Sequence, residues 1–215
     1  MVTHGLVVRL QAAPGRGREV EARLEAARAA VAGEPGTAAW FALRIGEGAY
    51  GALAAFGGDA AAKSHLAGRA CTLLTDAGGG VLAQAASVQP VSVIASKLPA
   101  AGAGAAVAQG LQLSFRARQG HELGVEQFLR NAQPKLLAQP GTVAWFALRF
   151  GRGHYAMFDL FPAEGARSAH TAGLVPRELA RHAASLLGGL PAMEGIDVLA
   201  AHFALRDTLV GLGVD

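Results

Sequence analysis

Residues 35–44 read PGTAAWFALR and residues 140–149 read PGTVAWFALR, one decapeptide repeated with a single change. Trp40 and Trp145 lie 105 residues apart, and that offset carries the match outward in both directions without a gap. Gly5 and Leu6 fall on Gly110 and Leu111, Tyr50 on Tyr155, and Phe56 on Phe161. His65 falls on His170, Gly68 on Gly173 and Val93 on Val198. A fixed period over such a length means that the chain holds two copies of one structural unit.

Each unit reads as β-α-β-β-α-β. Residues 5–12 (GLVVRLQA) are β-rich and form the first strand. Val20, Leu24, Ala27 and Val31 recur at helical spacing through 16–32 and give one apolar stripe, matched by Val125, Leu129, Ala132 and Leu136. Pro134 removes a donor from the second copy's helix and is expected to kink it or shorten its ladder. A Glu-Pro-Gly step at 34–36 and a Gln-Pro-Gly step at 139–141 end these helices. The second strand starts at Thr37 and runs to about Ile45. Gly46 and Gly48, like Gly151 and Gly153, flank a tight turn, where glycine permits positive φ, and a third strand follows at 49–56. A helical region leads to His65 or His170, and a further helix is expected before the last strand, at 89–97 or 196–203.

The resulting organisation is a first unit at 1–98, a small-residue linker at 99–109, a second unit at 110–204 and a tail at 205–215. A four-stranded sheet with two helices on one face leaves its other face bare. Two copies in one chain solve that problem together. The expected fold is α+β: two ferredoxin-like repeats whose antiparallel sheets pack as an intramolecular dimeric barrel.

Composition excludes several functions. A net charge of +3 is too weak for nucleic acid, which needs clustered cations along a phosphate path. Arg16, Arg18, Arg23 and Arg28 alternate with Glu19, Glu21 and Glu25 as on a solvated helix face. A single cysteine, Cys71, allows no internal disulfide, and its place in the second copy is taken by Pro176. The histidines at 4, 65, 121, 154, 170, 182 and 202 form no close pairs, so no metal site is expected. Gly78-Gly79-Gly80 lacks the Lys-Ser/Thr that a phosphate loop needs. The uncharged stretches 77–96 and 98–115 are rich in Gly, Ala, Ser and Gln, so no membrane partner is expected. No basic-then-apolar signal opens the sequence, and the expected location is cytoplasmic.

The run EPGTAAWFALR at 34–44, the Gly-X-Gly-X-Tyr turn at 46–50 and FDLFPAEGARSAH at 158–170 resemble the antibiotic-biosynthesis-monooxygenase family. The resemblance spans both copies. It implies a ferredoxin-like fold assembled as a dimeric barrel, with a ligand cavity between each sheet and its helices. Some members oxidise quinol-like or polycyclic aromatic substrates with O2 and no metal or flavin, whereas others degrade haem. The tryptophans on the second strand count against the haem branch. The implied function is therefore a cofactor-independent monooxygenase acting on a small aromatic, quinol- or polyketide-like substrate. The alternative is a non-catalytic small-molecule-binding or stress-associated protein of the same fold. No cofactor is implied; the implied partners are a small aromatic ligand and, for the fused chain, a second copy of itself. One departure stands out: the second copy has Phe158-Asp159-Leu160-Phe161-Pro162, but the first has Leu53-Ala54-Ala55-Phe56-Gly57, without acid or proline.

Candidate residues follow from strand alternation and from chemistry. Trp40, Ala42 and Arg44 share one strand face, with Phe41, Leu43 and Ile45 on the other. Trp40 and Trp145 serve either as walls of a pocket, with Ala42 and Ala147 leaving room for a flat ligand, or as plain core. Tyr50 and Tyr155 are placed to hydrogen-bond a substrate oxygen or to cover an edge. Arg44 and Arg149 either hold an anionic group or reach solvent. His65 and His170 are candidate bases, because histidine titrates near neutrality, with surface packing as the alternative. Asp159 would orient His170 or is an ordinary strand-end acid.

Overall fold

The computed structural model describes residues 1–99 and 106–204; most of the expected linker and the whole of the expected tail lie outside the described residues. The first half contains β1 (His4–Gln11), α1 (Gly17–Val31), β2 (Thr37–Gly46), β3 (Ala49–Phe56), α2 (Asp59–Leu66), α3 (Arg69–Thr75) and β4 (Ser87–Lys97). The second contains β5 (Gln109–Arg116), α4 (Glu122–Leu137), β6 (Ala144–Gly151), β7 (His154–Phe161), α5 (Glu164–Thr171), α6 (Leu174–Leu186) and β8 (Ala192–Phe203).

The strands close into an antiparallel barrel in the order β1-β3-β2-β8-β5-β7-β6-β4. Each half contributes a ferredoxin-like sheet, and the sheets join edge to edge through β2–β8 and β4–β6. Closure removes the exposed strand edges that a single sheet would carry. It also carries each half's last strand across to the other half. His202 on β8 lies opposite Trp40, and Lys97 on β4 lies opposite Trp145.

Period-two alternation then sorts the side chains. Phe41, Leu43, Phe146, Leu148, Phe158 and Leu160 turn into the barrel, where Phe41 and Phe146 meet edge to face at 5.8 Å. Trp40 and Trp145 turn outward under the helices of their own halves, onto the stripes Val20-Leu24-Ala27-Val31 and Val125-Leu129-Ala132-Leu136. Each of these large side chains contributes about 1.5–3 kcal/mol of burial free energy.

Three sequence expectations need adjustment. Pro134 does not shorten its helix, since α4 runs through it to Leu137. Of the paired turn glycines, Gly48 and Gly153 have positive φ, whereas Gly46 and Gly151 do not. The helix before the last strand differs between halves: α6 has 13 residues and α3 has 7. In the first half, Asp76 caps the amide of Gly78, and Gly79 and Gly80 adopt positive φ, which stops the helix. Among the described residues no helix is long and apolar enough to cross a membrane.

Candidate active site

A cavity of about 460 Å³ lies between α5 and α6 and the outer face of β5 and β7. Leu111, Leu113, Met157 and Leu179 make its walls largely apolar, and Asp159 and His170 face it. The strand pattern explains why an acid sits there. Tyr155, Met157, Asp159 and Phe161 point to the helix side of β7, while Ala156, Phe158 and Leu160 fill the barrel. In register, Asp159 lies between Leu111 on β5 and Trp145 on β6. Asp159 is 3% exposed and His170 is 8% exposed. His170 is therefore no surface histidine, and Asp159 is no ordinary strand-end acid.

The imidazole is held at both nitrogens. Its Nε2 lies 3.3 Å from Asp159 Oδ1. Its Nδ1 lies 3.2 Å from Gln139 Oε1 and 3.5 Å from the Thr142 hydroxyl. The ring tilts against Phe161 at 5.2 Å. Burial pushes the Asp159 carboxyl up to about 8 and pushes the His170 imidazole below its usual value. Both directions favour neutral groups. In the neutral arrangement Nδ1–H donates to Gln139 Oε1 and the Nε2 lone pair faces the Asp159 carboxyl. The Asp159–His170 contact is thus a close approach of two groups that burial keeps neutral rather than an ion pair.

The first half builds the same histidine differently. His65 is equally buried and packs against Phe56 at 5.1 Å, but its Nδ1 meets Glu34 Oε2 at 2.5 Å. Glu34 stands where the second half has Gln139, and Ala54 stands where it has Asp159. Among the described residues, Glu34 Oε1 reaches no partner.

The other candidates do not gather around the cavity. Arg149 donates to Glu126 at 2.9 Å, and Tyr155 lies 3.5 Å from the same carboxylate. Arg44 donates to Glu21 at 2.6 Å, Tyr50 donates to Glu21 at 3.1 Å, and Asp197 lies 3.7 Å from Arg44. Each of the two arginines is thus paired with a carboxylate on a helix of its own half, and neither borders the 460 Å³ cavity. Burial raises both phenols, so Tyr50 and Tyr155 stay protonated donors. Tyr155 and Arg149 border a separate open cleft of about 670 Å³ with Glu122 and Arg152. Glu21 and Glu126 were missed as site residues; the charge alternation around Glu21 reads as a solvated face, yet each carboxylate reaches the strands beneath.

Trp40 and Trp145 are fully buried, neither borders the 460 Å³ cavity, and neither indole N–H finds an acceptor among the described residues. Ala42 and Ala147 are likewise buried in the helix-side cores rather than beside open space. Among the described residues no three His, Cys, Asp or Glu side chains come together as metal ligands would.

No family model matches the chain, and no curated protein matches it. Solved structures do. A proposed monooxygenase of Fusobacterium nucleatum superposes with a TM-score of 0.79 at 10% identity, over 94% of both chains. A proposed monooxygenase of Lactobacillus acidophilus gives 0.78 at 10% identity, over 94% of this chain and 97% of that one. An uncharacterised ferredoxin-fold protein of Listeria monocytogenes, related to antibiotic biosynthesis monooxygenases, gives 0.56 at 10% identity, over 92% of this chain and 95% of that one. The chain has a monooxygenase-like fold. Within this monooxygenase-like barrel, the second half combines an apolar cavity with a buried acid–histidine pair, and the first half has alanine in the acid's place.

Proposed function

We propose that the second half is the working site of a cofactor-independent monooxygenase acting on a small aromatic, quinol- or polyketide-like substrate. The observation that carries this reading is Asp159, an acid buried in the wall of an apolar cavity and held by His170. A space of about 460 Å³ falls within the range of small-molecule sites and suits a flat, largely apolar body.

The chemistry needs a base before it needs anything else. An aromatic alcohol or activated CH₂ gives an electron to O2 readily only after losing a proton. Asp159, with its carboxyl pushed up to about 8, is a far stronger base than a solvated aspartate. Its conjugate acid lies within about two units of an unperturbed phenol at ~10. The roles expected for the two residues are thus exchanged: Asp159 takes the proton, and the Nε2 lone pair of His170, 3.3 Å away, faces the carboxyl that receives it. Gln139 fixes the imidazole by accepting from Nδ1–H. One electron then passes from the substrate anion to O2, and the radical pair recombines as a peroxide on substrate carbon. Loss of water leaves a carbonyl, so one oxygen atom stays on the substrate and the other departs with two hydrogens. Apolar walls exclude water that would quench the anion.

Oxygen uptake by the purified chain, across a panel of quinols and polycyclic phenols, tests this. Uptake should rise with pH through about 8, as Asp159 loses its resting proton. Asp159→Asn should lower kcat/KM by about 10²–10⁴-fold, the usual contribution of a positioned base. Glu34→Gln, in the other half, should leave uptake unchanged. Saturable binding with no uptake at any pH would replace the oxygenase reading with that of a binding protein.

A further inference from the structure

A smaller groove of about 270 Å³ opens beside the apolar cavity and shares Leu111, Thr171 and Met193 with it. The two spaces meet across those side chains. Met193 is 64% exposed there, and its unbranched chain is free to move between them. The polar lining of the groove comes from α5: Glu164, Arg167, Ser168 and Thr171.

Arg167 is seated rather than dangling. Its Nε donates to Glu164 Oε1 at 3.3 Å, and one terminal nitrogen lies 2.6 Å from Oε2 as an ion pair. Its other terminal nitrogen lies over Gly195, where a Cβ would stand only 2.8 Å away. Glycine at that position makes the room the guanidinium occupies. That nitrogen makes no hydrogen bond among the described residues and remains an available donor. The Ser168 hydroxyl already donates to Glu164, and the Thr171 hydroxyl donates to the Ser168 carbonyl. Both hydroxyl oxygens therefore have only lone pairs to offer. The groove presents the free N–H groups of one Arg167 nitrogen beside two hydroxyl acceptors, with its charge internally balanced by Glu164.

The first half has nothing comparable. Ala62, Lys63 and Leu66 stand where Arg167, Ser168 and Thr171 stand, and Lys63 pairs with Asp59. This polar set thus accompanies Asp159 in the same half.

We infer that the groove is a subsite for an uncharged polar substituent, a hydroxyl or carboxamide, on a substrate whose aromatic body fills the apolar cavity. The inference rests on the reading of that cavity as a substrate site. A substituent that both accepts and donates matches the groups on offer. A carboxylate would meet the Glu164 carboxylate and two hydroxyl lone pairs, with only the free nitrogen of Arg167 in its favour.

Anaerobic titration calorimetry at pH 7 tests it, with 1,8-dihydroxyanthrone and its 3-hydroxymethyl and 3-carboxylate derivatives as probes. The hydroxymethyl probe should bind about five- to tenfold tighter than the parent, the worth of one or two net hydrogen bonds. The carboxylate probe should bind no tighter than the parent. Arg167→Ala should bring the hydroxymethyl probe down to the parent's affinity and leave the parent unchanged. Equal binding of parent and hydroxymethyl probe, equal weakening of both by Arg167→Ala, or tightest binding of the carboxylate would overturn the subsite while leaving the cavity's role intact. Failure of all three probes to bind would instead overturn the substrate-site reading, and the subsite with it.

Discussion

The two halves hold the same histidine against the same phenylalanine, yet they place the acid on opposite sides of the imidazole. In the first half Glu34 approaches Nδ1 from the turn after α1, and its side chain is 19% exposed. In the second half Asp159 approaches Nε2 from the wall of the apolar cavity, only 3% exposed, and neutral Gln139 takes Glu34's place. A carboxylate at a rim keeps part of its hydration; one in an apolar wall loses it and holds its proton instead. The exchange replaces a partly exposed acid at Nδ1 with a buried one at Nε2. The lesson is positional: an acid set into apolar surroundings holds a proton that a solvated aspartate would release.

The contrast can be broken by grafting. Ala54→Asp together with Glu34→Gln copies the second half's arrangement into the first, where Ala52, Ala54 and Leu74 are buried. The graft should cost about 3–5 kcal/mol of stability at pH 8.5, from an acid buried without prepared space. The loss should shrink at pH 5, where the new carboxyl is protonated; denaturant melts at the two pH values check this.

The reverse change should stabilise. Asp159 holds its native carboxyl near 8, against about 3.9 in an unfolded chain. Between those values the native state binds the extra proton, so stability falls as pH rises from about 4 to about 8 and then levels. Asp159→Ala, which copies Ala54, removes that slope. At pH 8.5 it should gain on the order of 3 kcal/mol net of the lost packing around the carboxyl, while abolishing turnover. Equal stability of wild type and variant across this range would count against a buried, protonated acid.

A smaller effect sharpens the comparison at the Tyr–Glu–Arg clusters. Glu126 is the more buried of the two carboxylates and serves Arg130, Arg149 and Tyr155, whereas Glu21 serves Arg44 and Tyr50 in partial contact with water. Glu126→Ala should cost about 1–2 kcal/mol and Glu21→Ala less than about 1, read from urea melts.

Much of this architecture was legible in the amino-acid order. The offset from Trp40 to Trp145 fixed two units, and the alternation Trp40-Phe41-Ala42-Leu43 separated helix-facing from barrel-facing residues. His65 and His170 stood out because they recur at that offset. The site was only half legible. The Glu-Pro-Gly and Gln-Pro-Gly steps were visible as helix ends, but their side chains acquire a role only where the chain returns as α2 or α5 and lays a histidine beside them. Asp159 was visible as a departure from Ala54, yet its burial depends on α5 and α6 closing over β7. Tyr155 and Arg149 share strand faces with Asp159 and Trp145, and periodicity says nothing about distance along the strand; the structure puts them at another cleft.

The most direct measurement is a carbon-13 NMR titration of the Asp159 carboxyl in aspartate-labelled protein, assigned by its loss in Asp159→Asn. It needs no substrate and so does not depend on knowing one. A midpoint near 8 is the expected result and would establish the buried, proton-holding acid on which the proposed chemistry rests. A midpoint near the ordinary aspartate value of about 3.9 would contradict it and leave Asp159 a permanently charged partner of His170.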